Sequence, residues 1–475
     1  MNYPIYTPDI ERYTHSAISA LKSGWVSSQG EFIEKSCSKL REIIGTPYAV
    51  MMNNGTSATH MLYKALKFKH PEITKVYLPN YVFAAVWNCA LYEYTREQLE
   101  LLETDPTTLN TREDEPYLAT LAPNSAVVIV HNVGNVINVP RLKRLRPDLV
   151  FVEDCCEAFL ESYEGMKTGT DSLCAAVSFF ANKLITSGEG GVFYTADKEL
   201  YDFIYKSCHH GMTSERYIYD VLGYNYRMTN IQAALLYDQL VDIDAIVTRK
   251  REVYERYARL FGDATATRGI WMFLARLPGV THAALRARGI DSRPMFYPAS
   301  RQSHLSLTGA ESPIGHTDLI MLPSSPSLTT YDQVWIANAV KQIQHKVRLD
   351  IVRATPALLT EFCSNPMPPT FRYFSKRSID VCETHTVTII GIVDGKPVAY
   401  AHIDDRWIGL CVLPQHQNRG YGRTLLSFVC DYGTAEKIPL RLTVDADNLR
   451  AKQMYEKMGF VCVSRSTQLV MERSI

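Results

Sequence analysis

Lys183 stands in SFFANKLITSGEGG, between an apolar run and a glycine-rich loop, where its amine can turn inward from water. Desolvation favours the neutral amine, the form that condenses with a carbonyl to give a Schiff base. Asp154 closes the apolar run LVFVED, and the carboxyl end of a buried strand is where α/β sheets hold ligands. A carboxylate there can pair with a protonated pyridine nitrogen and keep an aromatic ring an electron sink. Upstream, NNGTSATHMLYKAL sets Gly55, Thr56 and Ser57 at a strand-to-helix turn. Backbone N–H groups and hydroxyls at such a turn form a cup for an anion. Each part also has a plainer reading: most lysines are solvated, and Thr and Ser cap many helices.

A second group lies far downstream. In LPQHQNRGYGRTLLSF, Gln417, Gly420 and Gly422 form Q-x-x-G-x-G between a strand and a helix. That pattern lets backbone approach a pyrophosphate and aims N–H groups at it, although a bare loop has the same composition. The following NLRAKQMYEKMGF helix carries Tyr455, a phenol suited to weak-acid work or to core packing.

The elements that must position these residues follow from periodicity. Short β-branched runs (AVMMN, KVYLP, AVVIVHNV, LVFVED) alternate with amphipathic stretches, so the first half reads as βα units around a largely parallel, buried sheet. From about Asn230 a long helical pattern leads to a smaller lobe ending near Lys346. The pattern then restarts: strand, helix, two strands about an Asp-Gly turn, a further strand, the glycine-rich turn with its helix, and a closing strand and helix. The boundary falls near residues 347–350. The basic run RLKRLR, from Arg141 to Arg146, alternates with leucines and reads as a solvated helix face.

The chain's 475 residues allow two to four units, and 46% hydrophobic residues provide ample core. Fifty basic residues balance fifty acidic ones, so no global field draws nucleic acid or anionic membrane, and phosphate must be held locally. No apolar run approaches the roughly 20 residues of a membrane span, and the N-terminal stretch has no signal-peptide pattern. Eleven cysteines without a CxxC pair point to reduced thiols in a cytoplasmic protein with no metal site.

The segments SGWVSSQGEFIEK, NNGTSATHMLYKAL, LPNYVFAAVWN, VEDCCEAF, SFFANKLITSGEGG, HHGM, LGYNYRMTNIQAALL and GIDSRPMFYP occur in the order found in the DegT/DnrJ/EryC1 sugar aminotransferases. Residues 1–346 resemble that family, which implies a fold-type I α/β transferase with a large lobe over 1–240 and a small lobe over 241–346. The resemblance implies pyridoxal phosphate as cofactor. Lys183 would form the Schiff base and, once released, move the proton between Cα and C4′. Asp154 would pair with the pyridinium nitrogen, Glu157 would lie near the ring hydroxyl, and Phe83 would stack on the ring. Gly55, Thr56, Ser57 and Ser178 would hold the phosphate. Asn225 would reach it from the partner subunit of a homodimer. One branch of the family replaces the lysine by histidine and dehydrates its substrate; the presence of Lys183 favours transamination. Within the lysine branch the segment looks most like enzymes that aminate C4 of nucleotide-linked 4-keto-6-deoxyhexoses. The stretch after Asp263 is shorter than the family usually has.

Residues 350–475 resemble the GCN5-related N-acetyltransferases (GNAT). By that resemblance Val412 offers backbone bonds to the pantetheine arm of acetyl-CoA, and Gln417 to Gly422 with Arg419 cradle the pyrophosphate. Asn448 faces the CoA arm and Tyr455 protonates the leaving thiolate. The proton-accepting base has no family-wide position, and His402 and Asp404 are the candidates. The implied whole is a bifunctional enzyme: transamination of a nucleotide-linked ketosugar with glutamate as donor, then acetylation of the new amine. Two other readings stay open here. The acetyltransferase unit could act on a different acceptor or only bind, and the first domain could be a cofactor-bound scaffold.

Overall fold

A computed structural model describes residues 2–310, 318–366, 385–465 and 468–475. In chain order the first strands are β1 (Tyr48–Met52), β2 (Val76–Pro79), β3 (Leu99–Leu102), β4 (Ala126–Val130) and β5 (Val150–Asp154). A surface hairpin, β6 (Ser162–Tyr163) and β7 (Met166–Lys167), precedes β8 (Ala175–Ser178) and β9 (Gly191–Thr195). Beyond them lie β10 (Phe273–Arg276), β11 (Arg293–Pro294), β12 (Thr308–Gly309) and β13 (Leu319–Leu322).

Eight strands form one sheet in the order β1-β9-β8-β5-β4-β2-β3-β12. Neighbours from β8 to β12 run parallel, while β9 is antiparallel to both β8 and β1. β1, β5 and β8 therefore point the same way, and their carboxyl ends share one edge of the sheet. β4, with the sequence AVVIV, is buried throughout, as a strand covered on both faces must be. The basic run forms the helix Val139–Leu145, with Leu142 buried.

The long helical pattern resolves into Asn230–Val241 and Ile243–Phe261, broken at Asp242. Thr229 and Gln232 form a capping box that starts the first of these helices. β10, β13 and β11 make a small antiparallel sheet. One expectation is corrected here. The chain after residue 241 does not remain in the small lobe, because β12 returns to pair with β3 at the edge of the large sheet. Two residues, Thr308 and Gly309, are too short a strand to show any periodicity.

The C-terminal unit holds β14 (Asp350–Arg353), β15 (Val387–Val393), β16 (Lys396–Asp404), β17 (Trp407–Val412), β18 (Leu440–Asp445), β19 (Val461–Arg465) and β20 (Gln468–Arg473). They form one sheet in the order β14-β15-β16-β17-β18-β20-β19. Asp394 and Gly395 both take positive φ, the primed turn that joins β15 to β16. The sequence reading closes this unit at the helix Leu449–Lys457 and misses the β19/β20 hairpin, whose strands mix apolar and charged residues. Parallel β17 and β18 meet only at Trp407 and Arg441, then splay apart. That divergence opens a cleft between two strand ends.

The small lobe and the C-terminal unit share a core. Tyr331 and Phe428 pack with ring centroids 5.5 Å apart, in a continuous apolar cluster built from helices Ile243–Phe261, Thr330–His345 and Tyr421–Glu436. Trp335 donates its indole N–H to the Ile351 carbonyl (2.8 Å), and Lys341 grips both oxygens of Asp431 at 2.7 Å. Burial raises the Asp431 pKa, and the Lys341 charge pulls it back. We expect Phe428→Ala to cost about 3–5 kcal/mol by leaving a cavity between the two units. Thermal melting checks this: loss confined to one of two resolved transitions would contradict a shared core.

Candidate active sites

The first site gathers at the shared edge of the large sheet. Asp154 ends β5 and is 4% exposed; its carboxylate accepts the Thr59 hydroxyl (2.9 Å) and the Cys156 N–H (3.0 Å). Thr59 lies one turn inside the helix Gly55–Lys69, so the helix that begins at the anion cup also fixes the carboxylate. Asn54, rather than Thr or Ser, caps this helix by accepting the Ser57 N–H at 2.8 Å, and the Ser57 hydroxyl donates to Asn53 (2.7 Å). Ser178, ending β8, accepts the Phe180 N–H at 3.2 Å. Gly55 is required there. A Cβ at that position would stand 2.5 Å from the Ser178 Cβ and 2.6 Å from its Oγ, filling the cup. Thr56 is exposed on the first turn of the helix.

Glu157 is buried and accepts the N–H of Val133 at 2.7 Å. Burial pushes its carboxyl up to about 7, against the pull of the Lys183 charge and that N–H. The Lys183 Nζ lies 4.0 Å over the ring of Trp271, whose indole N–H donates to the Asn182 carbonyl at 2.9 Å. Cation–π contact of this kind holds the amine in place. The Asn182 Oδ1 is buried without a partner among the described residues. Phe83, in the loop after β2, is 57% exposed and packs obliquely on Phe296, with centroids 5.8 Å apart.

Asn225 is exposed and its side-chain oxygen accepts the Arg227 Nε–H at 3.0 Å. Behind the site, His131, Glu153 and Cys155 cluster in the core, with both His131 ring nitrogens already bonded, to Glu153 and to the Ile137 N–H. An amine, two buried carboxylates, an anion cup emptied by a glycine and an orphaned amide oxygen fit a phosphorylated, cationic aromatic aldehyde. Sequence reasoning missed Thr59, Asn53, Asn54, Trp271 and Arg227. Thr59 and Arg227 stand inside the segments that carried the argument, at helical and alternate spacing from assigned residues.

The second site is a cavity of about 1020 Å³ where β17 and β18 part. Val412, Gln417, Gly420, Gly422, Asn448 and Tyr455 all line it. Gly420, with φ +82°, leads into the helix Tyr421–Glu436. Gln417 donates to the Val412 carbonyl at 3.2 Å, and Asn448 caps the helix Leu449–Lys457 through the Ala451 N–H at 3.1 Å. Arg419 is the exception: it is exposed and does not line the cavity, whereas Arg423 and Arg450 do. Burial pushes the Tyr455 phenol up to about 12.

His402 and Asp404 also line the cavity. The His402 ring lies across Gly409, where a Cβ would meet it at 2.0 Å, and stacks on His385 with centroids 4.4 Å apart. Its Nδ1 is buried without a partner among the described residues, and burial then His385 pull its pKa down to about 4. Asp404 is exposed at the hairpin end.

Two outcomes follow. Gly55→Ala should leave a folded protein whose half-saturating concentration of pyridoxal phosphate rises about 100-fold or more, because the cup is closed; equilibrium titration reads this. Folded Glu157 holds its proton to about pH 7 and unfolded Glu157 only to about 4.5. Its contribution to stability is therefore complete below 4.5 and lost as pH rises towards 7. In the cofactor-free protein, Glu157→Gln should flatten the fall in denaturation midpoint across that window.

Residues 9–341 match the DegT/DnrJ/EryC1/StrS aminotransferase family, and residues 356–460 match the acetyltransferase (GNAT) family. The chain is 30% identical over 360 residues to GDP-perosamine synthase of Escherichia coli O157:H7, covering 71% of this chain and 98% of that protein. It is 31% identical over 302 residues to GDP-perosamine synthase of Caulobacter vibrioides, covering 59% and 80%. Helicobacter pylori PseC, an aminotransferase involved in the biosynthesis of pseudoaminic acid, superposes with a TM-score of 0.66 at 22% identity, covering 73% of this chain and all of that one (100%). An E. coli GDP-4-keto-6-deoxy-D-mannose-3-dehydratase with bound hydrated PLP gives 0.64 at 19% identity, covering 72% and 99%. The likeness shows the fold-type I architecture. The chain belongs to the DegT/DnrJ/EryC1/StrS aminotransferase family, as a pyridoxal phosphate-dependent sugar aminotransferase that carries a C-terminal GNAT acetyltransferase domain.

Proposed function

We propose that the first domain transfers an amino group from glutamate to C4 of a nucleotide-linked 4-keto-6-deoxyhexose, and that the second acetylates the resulting amine. The observation that carries this reading is one chain holding both sites on a shared core, with GDP-perosamine synthases among its relatives. Joining the two sites raises the concentration of the amino sugar beside the acetyl-transfer cleft.

Pyridoxal phosphate, when bound, supplies the electron sink that lets a proton leave the carbon bearing nitrogen. Lys183 would hold it covalently and then carry that proton between the two carbons concerned. Asp154, fixed by Thr59, would keep the ring nitrogen protonated; Glu157 would face the ring hydroxyl and Phe83 the ring itself. Gly55, Thr56, Ser57 and Ser178 would take the phosphate. We assign Asn225, with Arg227, to the phosphate of a second subunit. The exposed apolar side chains of Tyr217, Ile218 and Leu222 just before it support a homodimer.

In the cleft, Gln417 to Gly422 with Arg423 and Arg450 would hold the pyrophosphate of acetyl-CoA, and Val412 and Asn448 its arm. The sugar amine attacks the thioester carbonyl, a C–N bond forms and the C–S bond breaks. His402, neutral at pH 7, accepts the proton from nitrogen, and Tyr455 donates one to the departing thiolate. His402 suits this better than exposed Asp404 because it lines the cavity as a partly buried imidazole with a ring nitrogen that has no partner among the described residues. Among the described residues no helix is long and apolar enough to cross a membrane, and no described cysteine is in a disulfide. These features agree with a cytoplasmic enzyme.

Purified protein with pyridoxal phosphate, glutamate, acetyl-CoA and a panel of nucleotide 4-ketosugars should yield an N-acetylated sugar nucleotide by mass spectrometry. An unacetylated amino sugar as sole product would sink the coupled reading, and no amino sugar at all would sink both. Lys183→Ala should abolish amination and the visible absorbance of the Schiff base while leaving acetyl-CoA binding intact. His402→Ala should slow acetylation of supplied amino sugar about 100-fold or more without changing amination.

A further inference from the structure

Lys250 lies in the helix Ile243–Phe261, 1% exposed, with no carboxylate in ion-pair reach among the described residues. Its Nζ donates to the carbonyl oxygens of Trp271 and Ser324, each at 2.7 Å, and sits 4.9 Å over the ring of Tyr6. Burial alone pulls its pKa down to about 7. A methionine would fill similar volume without that desolvation cost but would leave the two buried carbonyls unpaired, so stability by itself is not a sufficient reason for an amine here.

The groups it holds give one. Trp271 lies beneath the Lys183 Nζ and bonds the Asn182 carbonyl. The Tyr6 hydroxyl donates to the carbonyl of Lys183 itself at 3.1 Å. Ser324 takes the Phe273 N–H on its hydroxyl (2.8 Å) and gives its own N–H to Ile5 (3.0 Å), tying β10 to the N-terminal segment that carries Tyr6. Three separated stretches of chain therefore meet at one nitrogen, and two of them touch Lys183 or its peptide. An ammonium offers three N–H donors and a neutral amine two, so the two carbonyl bonds survive either protonation state.

We propose that Lys250 is a positioning residue for Lys183, clamping Trp271 and Tyr6 so that the amine and its peptide are held for Schiff-base formation. This rests on the reading of Lys183 as the lysine that binds pyridoxal phosphate. The first measurement separates the two ideas: wild-type protein must show a visible Schiff-base band that Lys183→Ala removes, and its absence overturns the Lys183 reading.

Given that band, Lys250→Met, which leaves the Trp271 and Ser324 carbonyls unpaired, should fold with a lower melting temperature and raise the half-saturating pyridoxal phosphate about 10-fold, read by quenching of tryptophan fluorescence in the apo-protein. Its band should titrate about half a pH unit or more lower, since the indole then supports the cationic Schiff base less well. Asp154 and Glu157, the carboxylates beside Lys183, are unchanged in this comparison. Lys250→Arg, which keeps cationic donors, should recover most of both shifts. Should Lys250→Met not fold, Tyr6→Phe removes one arm of the clamp and should move both readouts in the same direction by a smaller amount. A folded Lys250→Met with wild-type affinity and titration overturns the proposal, as does a Tyr6→Phe protein that moves neither readout, or losses that Lys250→Arg does not recover.

Discussion

The hydrogen bond from Thr59 to Asp154 ties together everything at the first site. One partner ends β5 and the other sits in the helix that follows β1, so a single contact fixes strand, helix and cup together. A buried carboxylate must be paired or hydrogen bonded, and Thr59 and the Cys156 amide meet that demand while leaving the group turned to the sheet edge. The parallel direction of β1, β5 and β8 then makes three separated segments converge. The helix N-terminus, Gly55 and Ser178 form the cup because the carboxylate already holds that helix against the sheet.

The second site depends on a different constraint. Two parallel strands that pair at one end and part at the other leave backbone groups facing a cavity. Helix Tyr421–Glu436 covers the sheet on one side, and its other side packs on the helices of the small lobe. The shared core fixes the acetyl-transfer cleft to the aminotransferase body, so the two chemistries reside in one packed unit. Overall charge balance fits both sites, since phosphates meet helix N-termini, hydroxyls and a few local cations rather than a charged face.

Much of this was legible beforehand. The alternation of β-branched runs with amphipathic stretches gave the parallel sheet, the Asp394-Gly395 turn gave a hairpin, and the lysine, carboxylate and glycine cup marked the first site. The misses share a physical origin. β12 is two residues long and exists because β3 offers an edge, and β19 and β20 carry charges that hide their alternation. Arg419 stands beside Gly420 in the sequence, yet Arg423, beside Gly422, and Arg450 are the arginines that line the cleft, because lining depends on where the turn and the two helices set each side chain.

Residue types and local spacing determined which segments become strands and helices, where backbone is freed by glycine, and which side chains are chemically competent. Those properties are local, set by period, φ preference and proton affinity. The tertiary structure alone decided what each competent group touches: Trp271 under Lys183, Thr59 on Asp154, Lys250 behind them, and His402 across Gly409. These pairs join residues tens of positions apart or on neighbouring strands. Burial and packing direction fix them, and neither is a property of any short stretch of sequence.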